Sequence, residues 1–380
     1  MVEHVHEGAV SRPDAGTARR VSLDAFRGIA VAGMILVNTP GSWAHIHPPL
    51  AHADWHGCTP ADLVFPFFLF AMGASMWFSL GRYDHRFSRK AMARIARRAA
   101  LLFLIGIALN SFPFIRDYET LRIPGVLQRI AVVYALTSVL FLLVGLRGAL
   151  AVSAIALAAY WLLLWRAGSG DPYSLEGNIV RRVDIALMGA GHLWAGKGIP
   201  FDPEGILSTV PAAVTSILGL AAAGVMGAGN DPRRQAAWLF LLGIACAGAG
   251  TAWNTLSPIN KYLWTGSYVL FSGGWALIAL AALVLLIDSW RIRSWSEPFA
   301  IFGMNPLFIF ILSSLWVRIL NRIEIGAPDD GTLTAYRWLF VKVFAAAGPM
   351  NGSLLFALAH VAFFWLMSYL LYRRRVIIKI

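Results

Sequence analysis

The chain reads as an all-α, polytopic membrane protein with about ten transmembrane helices and both termini in the cytoplasm. Three observations carry that reading. Of the 380 residues, 58% are hydrophobic and only 14% are charged, and the mean hydropathy is +0.64, all outside the range of soluble domains. Apolar stretches of roughly 17 to 25 residues, the length a bilayer core demands, recur along the whole chain between short Pro, Gly and charged punctuation. Lysine and arginine are unevenly placed: seven lie between Arg82 and Arg98, and none lies between Gly41 and Thr59. Basic loops stay on the cytoplasmic side, so this asymmetry orients the chain. It also accounts for the net charge of +12 without nucleic acid as a partner.

The predicted spans cover residues 22–40, 60–80, 91–110, 124–144, 146–165, 203–226, 234–253, 263–287, 298–320 and 352–372. Residues 1–21 form a polar, disordered cytoplasmic tail without the apolar core of a cleavable signal peptide, and 22–380 form one transmembrane domain. In the first span Ser22 suits an N-cap and Asp24 suits the positive end of the helix dipole. Arg27 and Asn38, eleven residues apart, share a face about 16 Å from one another along the axis. Either Arg27 snorkels while Asn38 ties helices together, or both border a polar cavity.

The loop that follows holds His45, His47, His52 and His56 with Asp54 and Cys58. Pro48 and Pro49 interrupt the cluster and its spacing fits no closed zinc site, so no metal is assigned. Cys58 and Cys246 sit in settings too different to bridge. Pro60 opens the second span with Asp62 behind it, which serves either as a first-turn acid or as a functional group. The third span follows the basic loop. Pro124 begins the fourth and sets Gln128 and Arg129 just below the surface, and the fifth follows directly. The sixth opens on Asp202 as N-cap with Pro203 behind it. The seventh is featureless. The eighth carries Lys261, Trp264 and Tyr268 at spacings that roughly share a helix face, and the ninth holds Asn305 and Pro306 inside it, which predicts a kink. The two long loops, 166–201 and 321–351, are the other places for extramembrane structure. Apolar helix faces suit either the lipid bilayer or a homodimer interface. No internal repeat of the kind that builds many secondary transporters is visible.

Six motifs, taken in order, resemble one family: "LDAFRGIAVAGMILVN", "HADWHGCTPADLVFPFFLFAMG", "RIPGVLQRI", "GIPFDPEGILST", "NKYLWTGSYVL" and "FGMNPL". Together they are similar to the heparan-alpha-glucosaminide N-acetyltransferase family, including bacterial members associated with amino-sugar use. The resemblance runs from Ser22 to the C-terminus. It implies a multi-pass acyltransferase of the bacterial inner membrane that moves acetyl from cytoplasmic acetyl-CoA to the amino group of a terminal glucosamine on the other side. It implies that His52, the first residue of the second motif, is catalytic, with Asn38 and Asp62 as its companions. Two departures accompany it. His56 stands where the family usually has Asn, and only about twenty polar residues precede the first helix, where lysosomal members carry a sizeable luminal segment, which argues against a heparan-sized acceptor.

Amine attack on a thioester needs a proton acceptor and donors for the developing oxyanion. On this reading His52 is the general base, Asp54 or Asp62 fixes its tautomer, and Asn38 steadies the carbonyl oxygen. His56 is the alternative for the proton transfer, and an acetyl-histidine intermediate is the competing chemistry. Arg27, Arg94 and Arg98 are the candidates for the anionic CoA. Gln128, Arg129, Lys261, Trp264 and Asn305 are the candidates for the sugar. Two other readings use the same residues: a transporter of an amino sugar or other polar solute with His52 and Asp62 as a proton-coupling pair, and an acyltransferase that modifies a cell-envelope glycan.

Overall fold

The computed structural model describes residues 20–114, 117–229, 231–327 and 331–378. The expected tail, 1–21, lies outside the described residues except for Arg20 and Val21, and Val21 already belongs to the first helix. In chain order the helices are α1 (Val21–Asn38), α2 (Pro60–Gly81), α3 (Arg89–Ser111), α4 (Val126–Ala167), α5 (Ile179–Met188), α6 (Thr209–Gly227), α7 (Pro232–Trp253) and α8 (Gly266–Leu283). They continue with α9 (Glu297–Phe302), α10 (Pro306–Leu320), α11 (Ala335–Leu339) and α12 (Pro349–Arg373). A hairpin of β1 (Glu324–Ala327) and β2 (Gly331–Thr334) supplies the strands seen among the described residues. Among the described residues, seven helices are long and apolar enough to cross a membrane, so the fold is a helical, multi-pass membrane protein.

The chain divides into two compact units. Among the described residues, one comprises those up to His52, Thr59–Phe65 and those from Trp290 onwards, and the other comprises Ala53–Cys58 and those from Pro66 to Ser289. In the first unit α1 packs against α9, α10 and α12. Its approach to α9 is very close: a Cβ on Gly28 would lie 1.8 Å from the Phe299 carbonyl oxygen, and one on Gly303 would lie 2.0 Å from that of Asp24. Small residues at such crossings let backbones meet where lipid gives no hydrophobic drive. Phe356 of α12 forms a cluster with Leu320, Ala335 and Tyr336, against which Ile325 of the hairpin packs. In the second unit α3 and α6 flank α4, and α7 and α8 pair along a seam that includes Gly243, Ala247, Gly250 and Gly274. The 42-residue α4 is two rods joined at Gly145, whose φ of 69° is a left-handed value that glycine adopts without strain. The two rods correspond to the separate spans expected at 124–144 and 146–165.

Four local expectations are corrected. Helix α1 begins a residue early, with Arg20 in the N-cap position and Ser22 inside the first turn. Helix α6 begins at Thr209, not beside Pro203: Asp202 accepts the Glu204 N–H as a cap would, but it also holds Arg122 and the Trp194 N–H, and the chain turns before the helix forms. Lys261 and Trp264 precede α8, and Trp264 has φ +52°, so they share no helix face with Tyr268. The predicted ninth span is broken outright at Gly303–Asn305, and Pro306 opens the new helix α10, where its missing N–H costs nothing. The long loops hold α5, the hairpin and α11.

Candidate functional site

In the first unit the sequence folds so that a short loop returns His52 to the start of α2. Helix α2 begins at Pro60, which puts Thr59 at the N-cap and Asp62 at the third helical position. An acid there reaches back to the cap's own N–H in a capping box, and Asp62 does so: its Oδ2 accepts the Thr59 N–H at 3.0 Å. The Thr59 hydroxyl, which an ordinary capping box turns towards the helix, donates to the Ala51 carbonyl at 2.7 Å. With Oδ2 engaged, Asp62 presents Oδ1 to His52 Nδ1 at 2.8 Å.

This dyad is asymmetric in exposure. The Asp62 side chain is 1% exposed and that of His52 is 28% exposed. A buried carboxylate that accepts from Nδ1–H fixes the tautomer and puts the imidazole lone pair on Nε2. A histidine held in this way is suited to take a proton from a nucleophile or to act as one itself. Of the two acids offered as its partner, Asp62 makes the bond. Asp54 is exposed, and its main-chain carbonyl accepts from Lys197 Nζ at 2.5 Å.

The other candidates of this unit lie elsewhere in it. Asn38, the last residue of α1, is exposed. Arg27 pairs with Asp24 at 3.3 Å and donates to the Gly303 carbonyl, so it bridges α1 to the break after α9. Asn305 is buried and clasps the C-terminal segment, donating to the Val376 carbonyl at 3.1 Å and accepting from the Ile378 N–H at 2.8 Å. His45 meets Ser42 and His47 meets Asn351, so these two histidines have separate partners.

In the second unit the tip of the same loop is pinned. Trp55 stacks on Tyr262 at 5.2 Å and donates to the Tyr173 carbonyl, while Gly57 N–H donates to the Ile259 carbonyl and His56 Nδ1 lies 3.3 Å from Asn260 Nδ2. Nearby is a buried charge cluster that sequence reasoning missed. Arg122 makes two 2.8 Å bonds to Asp202 and one of 2.7 Å to Glu204. Burial works against the Arg122 charge, but the two carboxylates win and hold its proton more tightly than usual. Burial pushes the Glu204 carboxyl up, and it pushes Asp184 up to about 6. The clue was thin: Asp202 reads as a helix-capping acid, and its partner Arg122 lies 80 residues away.

Arg129 is fully buried beside this cluster, donating to the Gly205 carbonyl at 3.1 Å and to the Ser208 hydroxyl, with its guanidinium 5.1 Å from the Trp264 ring. Trp264 in turn donates to Thr215 at 3.2 Å. Gln128 is buried against Gly106 and Gly125. The half-buried Lys261 adds positive charge next to Glu204. On α3, Arg94 is exposed, whereas Arg98 lies 4.7 Å from the Tyr134 ring.

Comparison with known proteins adds a family to this geometry. The profile described as "Heparan-alpha-glucosaminide N-acetyltransferase, catalytic" matches residues 19–171, a stretch that contains His52, Asp62, Asn38 and the basic part of α3. The human heparan-alpha-glucosaminide N-acetyltransferase is 31% identical over 349 residues, with 76% of this chain and 52% of that protein covered. The mouse protein of the same name is 28% identical with the same coverage. The chain spans about half the length of these curated relatives.

Proposed function

The chain belongs to the heparan-alpha-glucosaminide N-acetyltransferase family, and from that premise we propose that it is a membrane-embedded N-acetyltransferase. It moves an acetyl group from cytoplasmic acetyl-CoA to the amino group of glucosamine, or of a terminal glucosaminide, on the outer side of a bacterial inner membrane. The single observation that carries this reading is the His52–Asp62 dyad, in a loop without lysine or arginine that the positive-inside rule assigns to the outer face.

The chemistry asks little more of the chain than this dyad supplies. The amine nitrogen attacks the acetyl carbon, His52 Nε2 takes the amine proton, and the C–S bond breaks to release CoA as thiolate, to which the imidazolium can return the proton. Asp62 stabilises the imidazolium without itself taking a proton, as buried carboxylates do in acyl-transfer triads. Asn38 is the neutral donor nearest in type to what the oxyanion needs. Most of the cationic surface for CoA is on the basic loop and α3, where Arg94 is open and Arg98 supplies charge beside Tyr134. Arg27 contributes less than its charge implies, because Asp24 and the Gly303 carbonyl already engage it. Gln128, Arg129, Trp264 and Asn305 are buried, so they act on a sugar by shaping the surroundings, while Lys261 is open enough to touch one.

Purified protein given labelled acetyl-CoA and glucosamine tests the reading. N-acetylglucosamine should form, and His52→Ala should abolish it. Label retained on the protein in the absence of sugar, and lost in His52→Ala, selects the acetyl-histidine route. Exchange of labelled glucosamine across proteoliposomes without acetyl-CoA, and without acetylation, would make the protein a carrier and overturn the proposal.

A further inference from the structure

We infer that Thr59 is a positioning residue for the acetyl transfer, a clamp that sets the register between His52 and Asp62. The inference rests on the reading of that dyad as the transferring pair. Ala51 immediately precedes His52, and Thr59 lies three residues before Asp62. The Thr59 hydroxyl is 2.7 Å from the Ala51 carbonyl and 3.1 Å from Asp62 Oδ2, and the Thr59 N–H is 3.0 Å from the same Oδ2. A hydroxyl has one proton to give. The shorter contact takes it, so the hydroxyl ties down the residue that leads into His52 while the N–H orients the carboxylate.

One residue therefore holds both halves of the dyad, the histidine through its backbone and the aspartate through its side chain. The need for such a clamp follows from the path of the chain. Between Ala51 and Thr59 the loop runs out to a tip, Ala53–Cys58, whose bonds to Tyr173, Ile259 and Asn260 are made within the second unit. The Thr59 bonds lie at the base of this loop, where they bear on the register of His52 on Asp62. At an ordinary N-cap the threonine oxygen accepts from the first turn and any Ser, Asp or Asn would serve. Here a donor is required, because a carbonyl receives it.

The experiment is steady-state acetyl transfer by the full chain, with labelled acetyl-CoA and glucosamine. Thr59→Val keeps shape and N–H but removes the hydroxyl, and should lower kcat roughly 10–100-fold while the KM for acetyl-CoA stays within about twofold. Thr59→Ser should restore kcat to within about threefold of the parent. Combined with Asp62→Asn, Thr59→Val should add almost no further loss, since both changes act through one contact. Thr59→Ala gives a second hydroxyl-free variant should the valine protein not fold. A Thr59→Val kcat within about twofold of the parent, a Thr59→Ser value as low as the valine one, or losses that multiply in the double variant each overturn the clamp. Full activity in His52→Ala would instead overturn the parent reading, so the two failures are distinct.

Discussion

Asp62→Asn changes one atom and reverses one hydrogen-bonding role, and the surroundings of Asp62 dictate how the amide must settle. Oδ2 accepts the Thr59 N–H at 3.0 Å, a donor whose direction the backbone fixes, and Oδ1 faces His52 Nδ1 at 2.8 Å. Asparagine has one acceptor oxygen to offer. If that oxygen stays with Thr59, the NH2 group faces His52 Nδ1, which must then accept, and the ring proton moves to Nε2. The lone pair that the proposed transfer would use for the amine proton is lost. If the amide flips, an N–H points at the Thr59 N–H in a buried site, at a cost of about 1–3 kcal/mol, so the first arrangement wins. A histidine locked in the wrong tautomer lowers kcat by about 10³–10⁴-fold, which is roughly 4–5.5 kcal/mol of transition-state stabilisation. The assay is acetyl transfer to glucosamine by purified Asp62→Asn protein, with the thermal midpoint recorded alongside. A kcat within about tenfold of the parent, in a protein that melts normally, would be incompatible with control of the His52 tautomer by Asp62.

Two further outcomes follow from other parts of the molecule. Burial raises the Asp184 carboxyl to about 6 from its ordinary 3.8, so between those pH values the folded protein holds more protons than the unfolded one and stability falls as pH rises, by up to about 3 kcal/mol. Asp184→Asn removes that titration, so its melting midpoint should gain on that of the parent from about pH 4 to pH 7; parallel curves would contradict this. Gly28→Ala sets a methyl group 1.8 Å from the Phe299 carbonyl oxygen, with backbone on both sides, and overpacking of this kind should destabilise the protein by about 3 kcal/mol in a thermal melt.

Composition and hydropathy made the helical, membrane-spanning class legible, because a bilayer admits few alternatives for a chain this apolar. Span ends were legible where proline opens a helix, as at Pro60, and less so where a side chain had a distant partner. Asp202 looked like an N-cap for want of any sign that Arg122 would claim it. Pro306 was read as a kink because a break and a kink leave the same trace in sequence, and the non-helical backbone at Asn305, with φ −125° and ψ 47°, distinguishes them. At the site, the motif singled out His52 from four similar histidines, but the choice between Asp54 and Asp62 required the fold, which returns His52 to the first turn of α2. Thr59 was invisible as a clamp because its acceptor is a main-chain carbonyl, and a carbonyl leaves no mark on residue type.

Acetyl transfer across a membrane through His52 can be measured in sealed proteoliposomes of known orientation. Labelled acetyl-CoA is supplied to the face that carries the Arg82–Arg98 cations, and glucosamine is enclosed on the opposite face. Labelled N-acetylglucosamine should appear in the glucosamine compartment with the parent protein and not with His52→Ala. Product that forms only when both substrates share one face, or that forms equally well with His52→Ala, would contradict this expectation.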